Sequence, residues 1–216
     1  VYLDTPESIR RSIHRRAASV AAATGASPVE VVGHLARSHD GLPARGVADL
    51  SAEIERDAVA LLRAAATELA GGDPDTAASL LCEAIATADV GTSERAEIAL
   101  QRSSALIDAG RLGEAAEVAA AALMIDPPPE LEARLRIRFA EAKLLAGAAA
   151  AAIPQLEAAH RSGVLDAGES AQLLADTAWA RLAAFDVAGA AADAAGAEEW
   201  ARGAGHGPVL SSALSV

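Results

Sequence analysis

Gly110-Arg111-Leu112-Gly113-Glu114-Ala115 lies in the middle of a unit that runs from Ala96 to Pro129 and closes on Asp126-Pro127. A glycine at such a point lets the chain reverse, because Gly alone takes positive φ at little cost. With Ser103, Ala115 and Ala122 of this unit as markers, three slots recur along the chain. The first slot reads Ala65, Ser103, Ala140, Ala178; the second Ala77, Ala115, Ala152, Ala190; the third Ala84, Ala122, Ala159, Ala197. Each series advances by 38, 37 and 38 residues. Eleven of the twelve positions are alanine in a chain where roughly a quarter of residues are, so composition alone does not produce the period. Gly72, Gly110 and Gly147 each stand five residues before the second-slot alanine, and Phe185 holds that place in the last unit.

The spacing has a physical reading. Second and third slots are seven residues apart, two helical turns, and so share one face. The first slot lies on the preceding helix and meets that face across the turn. Small side chains at all three let backbones approach closely, while Leu61, Leu62, Leu80, Leu81, Leu106 and Leu123 fill the gaps.

Composition agrees with helices. Ala, Leu, Arg and Glu are strong helix formers, and aromatic residues make up 2% of the chain, too few for a β-sandwich or barrel. The expected helices are 6–24, 28–38, 51–70, 74–88, 93–109, 113–125, 129–146, 148–161, 167–184 and 187–202. Their starts carry capping signals: Ser27-Pro28-Val29-Glu30, Asp73-Pro74, Thr92-Ser93-Glu94, and Asp166 with Glu169. Pro154 should kink the eighth helix or move its start. The first pair stands apart, since Ala18 to Ala65 is 47 residues, and a polar stretch from Ser38 to Asp49 marks a soft boundary. The expected organisation is a helical pair over 1–45 followed by repeats over 46–216.

The formal charge of −12 and a pI near 4.8 argue against a nucleic-acid surface, which needs clustered Lys and Arg. The sole cysteine, Cys82, excludes an internal disulfide and reads as a small core residue in a reducing compartment. No apolar run is long enough to span a membrane. A chain starting at Val1 without a signal pattern is expected to be a piece of a longer, soluble, cytoplasmic protein.

The period, the Gly–Ala offset and the Asp-Pro close resemble tetratricopeptide repeats lengthened by three or four residues, over about 58–202. That resemblance implies an all-α fold, a right-handed α-solenoid of antiparallel helix pairs. Large aromatics usual on the first helix are mostly missing, so HEAT-like pairs stay open. A second resemblance rests on Leu3-Asp4-Thr5-Pro6-Glu7, Ile13-His14-Arg15-Arg16-Ala17-Ala18 and Gly25-Ala26-Ser27-Pro28-Val29-Glu30-Val31-Val32-Gly33-His34-Leu35. These residues resemble the segment joining the ATPase module to the helical repeats in large ATP-binding LuxR-type transcriptional regulators. That family implies an activator, often of secondary-metabolite genes, whose repeats receive a signal. Its ATP would bind an N-terminal module outside this segment, since the chain has no G-x-x-x-x-G-K-[ST]. No cofactor is expected in this segment.

The tetratricopeptide resemblance also implies a partner groove lined by first helices. Carried over, it assigns Glu97, Leu100, Ser104, Ile107 and Asp108 from one repeat, Arg134, Ile137, Glu141 and Leu144 from the next, and Gln172, Trp179 and Leu182 from the one after. Arg134 offers charge-assisted bonds and Trp179 an apolar anchor. Other candidates read more simply as structure. His14 and His34 fit packing or capping, since no histidine pair has zinc spacing. Glu198-Glu199 fits a solvated surface, as adjacent residues do not face each other on a helix. Arg134, Arg136 and Arg138 fit a salt-bridged face, with Arg136 paired to Glu132, or an anion-recognising patch. Trp200 fits inter-repeat packing. No catalytic set and no metal site are expected.

The function expected is therefore signal sensing and protein interaction within a LuxR-type activator. The partner is a protein or small-molecule effector, with no nucleic-acid or membrane contact by this segment. A passive scaffold or homo-oligomerising solenoid, and a small-molecule inducer receptor, are the alternatives.

Overall fold

The computed structural model describes residues 5–38, 58–86 and 90–204. Ten helices lie among them: α1 Glu7–Thr24, α2 Pro28–Ser38, α3 Ala58–Leu69, α4 Pro74–Ala86, α5 Thr92–Asp108, α6 Leu112–Leu123, α7 Pro129–Leu145, α8 Ala149–Arg161, α9 Ala167–Ala183 and α10 Val187–Ala204. No strand occurs among the described residues. The fold is the expected all-α array of antiparallel helix pairs.

The chain forms two compact units, Val1–Ala109 and Gly110–Val216. In the first, α1 packs on α2, α2 on α3, α3 on α4 and α4 on α5. In the second, α6 packs on α7, α7 on α8, α8 on α9 and α9 on α10. The boundary expected at 45/46 and the first part of the helix expected over 51–70 lie outside the described residues, as do 87 and 88 of the helix expected over 74–88.

All twelve repeat slots are buried, none more than 5% exposed. Ala at these places brings backbones together, and the fully buried Leu62, Ile98, Leu106, Leu135, Leu156 and Leu173 fill the space between. Each such side chain removed from water contributes about 1.5–3 kcal/mol. In the second unit the core gathers Ala133, Ala140, Ala152, Leu156, Ala159, Leu173 and Ala180, with Ile137, Leu144 and Ile153 packed against it.

The turns follow the glycine pattern in part. Gly110 and Gly147 have φ of 72° and 76°. Gly72 stays outside the left-handed region; its turn closes instead through the N–H groups of Gly72 and Asp73, both donating to the Leu69 carbonyl at 3.0 and 2.8 Å. Phe185, in the glycine place of the last unit, nevertheless adopts φ 63°. After α9 the Phe185 N–H donates to Leu182 O and the Asp186 N–H to Arg181 O, at 3.0 and 2.8 Å. The same pair of bonds closes α7 at Gly147 and Ala148, so the turn geometry outlives the loss of its glycine.

Caps and helix ends bring corrections. The Asp166 box is complete: Glu169 N–H donates to Asp166 Oδ1 at 2.8 Å and Asp166 N–H to Glu169 Oε2 at 3.1 Å. Ser27 Oγ and Asp73 Oδ1 accept from the N–H of Glu30 and Thr76. Thr92, expected to cap, is instead the first residue of α5; Gly91 is the N-cap and supplies no side-chain bond. Pro154 lies inside α8, whose start stays at Ala149. Cys82, expected in the core, is exposed, because the inward face of α4 takes Ala77, Ala78, Leu80, Leu81 and Ala84.

An ionic hub missed in the sequence fastens α9 to its neighbours. Arg181 donates to Glu157 on α8 at 2.6 Å, to Asp186 in the turn at 2.9 Å and to Asp193 on α10 at 2.6 Å. Asp186 Oδ1 also accepts the Gly189 N–H at 3.0 Å, capping α10. Those bonds, the Gly189 N–H first and Arg181 next, hold the Asp186 carboxyl below its ordinary range. The three carboxylates stand 24, 5 and 12 residues from Arg181, none at the i, i+3 or i, i+4 spacing that announces a helical ion pair.

Candidate functional site

Successive first helices of the second unit, α7 and α9, leave a cleft of about 490 Å³ between them. Ile137, Arg138, Glu141, Leu144 and Leu145 of α7 form one wall, Gln172, Asp176 and Trp179 of α9 the other, with buried Leu156 of α8 at the base. Residues three and four apart on one helix share a face, which is why each wall is a stripe of such positions. Helical pairing makes α7 and α9 run the same way. The cleft thus has a polar middle at Glu141 and Asp176 and an apolar end at Leu144, Leu145 and Trp179.

The polar groups are unequally satisfied. Arg138 is ion-paired to Glu141 on its own helix. Asp176 accepts a hydrogen bond from the neutral Gln172 amide at 2.9 Å, and no ion pair to it occurs among the described residues. Partial burial pushes the Asp176 carboxyl above its ordinary pKa; Gln172 lowers it, and the negative Glu141 across the cleft raises it further. Trp179 and Leu145 are 56% and 61% exposed, large apolar surface left without cover on the rim.

Ile137, Glu141, Leu144, Gln172 and Trp179, assigned from the repeat pattern, all line this cleft. Arg134 is placed outside its lining, one turn earlier on α7, where it reaches Glu169 at 3.4 Å. Leu182 lies past Trp179 on α9, half-buried. Glu97, Leu100, Ser104, Ile107 and Asp108 lie on α5 of the first unit. There Glu97 pairs with Arg63 of α3 at 3.1 Å, Ser104 Oγ donates to the Leu100 carbonyl at 3.2 Å, Ile107 is half-buried and Asp108 is exposed. Arg138, Leu145, Leu156 and Asp176 were not assigned. Asp176, four after Gln172 and three before Trp179, was legible as the same helical face.

The three arginines of α7 are all tied to carboxylates: Arg134 to Glu169, Arg136 to Glu132 at 2.6 Å, and Arg138 to Glu141. Arg136 also reaches Gln155 at 2.7 Å. The salt-bridged face is thus the better description than an anion patch. His14 and His34 are half-buried with their Nδ1 atoms 3.0 Å apart, which ties α1 to α2. Trp200, 44% exposed, meets the edge of His160 at 6.3 Å between ring centres. Among the described residues no group of three or more His, Cys, Asp or Glu could hold a metal ion, and no helix is long and apolar enough to cross a membrane.

No protein-family model and no curated protein matches the chain. Among solved structures the chain is similar to the MamA RS-1 ArsTM double mutant, at 15% identity and a TM-score of 0.59, over 90% of this chain and 96% of that one. MamA is itself a tetratricopeptide-like helical protein, and the likeness extends to the fold: this chain is a tetratricopeptide-like array of helix pairs.

Proposed function

We propose that the chain is the signal-receiving and protein-interaction repeat domain of a LuxR-type transcriptional activator, and that the α7–α9 cleft is where its partner binds. The observation that carries the binding reading is the uncovered Trp179 and Leu145 beside a half-buried carboxylate, within a cleft of about 490 Å³. Single exposed apolar side chains are ordinary, but an apolar rim beside a concave, partly polar cleft is the pattern of a binding surface. The regulator reading rests on the residues of the first helical pair, Leu3 to Leu35, and on no feature of the cleft. It assigns ATP and DNA contact to other modules and to this segment the receipt of a signal, which we take to be a protein. The net charge of −12 disfavours DNA as the ligand.

Two measurements test the two parts. The flanking coding sequence should contain a phosphate-binding G-x-x-x-x-G-K-[ST] upstream and a helix-turn-helix downstream; flanks of another kind refute the regulator reading. In the host, Trp179→Ala should reproduce the transcript changes of deleting the gene while leaving the protein's abundance unchanged. A wild-type transcript profile in that variant refutes the assignment of the cleft.

A further inference from the structure

We propose that the α7–α9 cleft selects a partner segment bearing a lysine or arginine about one helical turn from a large aliphatic or aromatic residue. The inference rests on the cleft being the binding site and adds the chemistry of what fills it. Three features of the cleft lead there.

The first is charge. Arg138 is already neutralised by Glu141, whereas Asp176 holds only the neutral Gln172 amide. A cation entering beside Asp176 meets one carboxylate without an ionic partner and a second, Glu141, across the gap. An incoming anion meets both as repulsion, with Arg138 already engaged. Burial makes that difference larger than it would be on an open surface.

The second is register. Asp176 and Trp179 are three residues apart on α9, opposite Glu141 and Leu144 on α7. A ligand cation at the polar middle therefore places an apolar group at Trp179, Leu144 and Leu145 about 5 Å along the helices. The indole face adds a second attraction for a cation that slides toward it.

The third is openness. A pocket for a small molecule encloses most of its ligand, but Trp179 and Leu145 are more than half exposed at one end. A wall that continues into solvent suits side chains carried on a longer chain. The occupant is therefore a peptide segment, with main chain running past the rim.

The test titrates the full chain, by indole fluorescence and calorimetry, with capped nonapeptides carrying one Lys and one Leu at spacings of one to four residues. Matched peptides carry Glu with Leu, or Lys with Ser, and phenethylamine serves as a small cationic–apolar probe. At least one Lys–Leu spacing should bind ten times more tightly than either control peptide and than phenethylamine. Asp176→Asn should weaken it at least fivefold while leaving the melting temperature unchanged or higher, an outcome that a packing role for Asp176 would not give. Asp176→Lys should transfer the preference to the Glu–Leu peptide. Equal binding of the Lys–Leu peptide by wild type and Asp176→Asn overturns the proposal, because attraction to an acidic protein in general would then account for it. Preference for phenethylamine also overturns it, in favour of a small-molecule receptor. Preference for the Glu–Leu peptide, abolished by Trp179→Ala, overturns the charge class while the cleft stands as a binding site. No binding by any probe overturns the proposal and leaves the cleft to the transcript test above.

Discussion

Phe185 holds φ 63° at a turn where Gly110 and Gly147 hold 72° and 76°. The left-handed region costs a residue with a Cβ about 1–2 kcal/mol relative to glycine. Replacing Phe185 with glycine removes that strain and, because the ring is 92% exposed, forfeits almost no packing. Against this, glycine adds conformational freedom to the unfolded chain, roughly 0.5–1 kcal/mol. The net expectation for Phe185→Gly is stabilisation by about 0.5–1 kcal/mol, from backbone relief alone, read as a higher urea midpoint at unchanged slope. The mirror change isolates the cause. A Cβ built on Gly147 meets nothing within 4 Å, so Gly147→Ala introduces backbone strain and no clash. It should destabilise by about 1 kcal/mol. Phe185→Ala, which keeps the Cβ, should gain nothing. If Phe185→Gly lowers the midpoint, or Phe185→Ala raises it equally, the strain argument fails and the ring contributes through contacts.

Other substitutions probe the seam, the hub and the first pair. Ala152, fully buried at a second slot, should not accept bulk: Ala152→Leu is expected to cost about 1–3 kcal/mol in thermal unfolding, and tolerance would show that the slots are not points of backbone approach. Arg181→Ala should lower stability by about 2 kcal/mol by leaving three carboxylates facing one another, less than a deeply buried pair because those partners stay partly solvated. Gly189→Ala should disturb the same hub, since its Cβ would run into Asp186 Oδ2 and sit 2.7 Å from Arg181 Cδ; a melting curve like wild type for either variant refutes the hub. His14 titrates below its ordinary 6.5 in the fold, through partial burial first and then His34 and Arg37. The unfolded chain therefore takes up that proton first, so stability is full above about 6.5 and falls as pH drops through that value toward the folded pKa. Unfolding at pH 7.5 and 5.5 should show the loss in wild type and a smaller one in His14→Gln.

The scaffold was legible because its constraint is repeated. Where two backbones must approach, only a small residue fits, and the same requirement four times over wrote Ala65, Ser103, Ala140 and Ala178 into the sequence at fixed intervals. Helix ends were legible to one or two residues for α1, α2 and α5 to α10, with Thr92 misplaced because Gly91 caps without a side chain. The exposure of Cys82 was missed because cysteine is a small, usually buried residue and follows Leu80 and Leu81, while the helical period turned it outward. The Arg181 hub was missed for a different reason: its partners at 157, 186 and 193 follow no repeat, and tertiary placement alone brings them together. Five of the nine residues lining the cleft were readable from two helical faces, Ile137, Glu141 and Leu144 on one and Gln172 and Trp179 on the other. The depth of the cleft was not, since that depends on how far α8 and its Leu156 sit behind the two walls.

The residues that line the cleft differ in kind from those of the repeat slots. α7 is covered by α6 on one side and α8 on the other, and its buried residues Ala133, Leu135, Ala140 and Ala142 come from more than one face. What remains is a narrow strip, and stability alone would fill such a strip with lysine, glutamate or alanine. Instead Leu145 is left 61% exposed, and Trp179 opposite it is 56% exposed. Asp176 stands beside Glu141, where burial and the neighbouring charge both disfavour its ionised form. Because its folded pKa is raised, Asp176 detracts from stability as pH rises above about 3.8, and the protein would be steadier at neutral pH without that charge. Three side chains that serve the isolated fold poorly thus converge on one cleft. Contact with a partner, as proposed for this cleft, covers the apolar rim and neutralises the carboxylate, and so removes all three costs together.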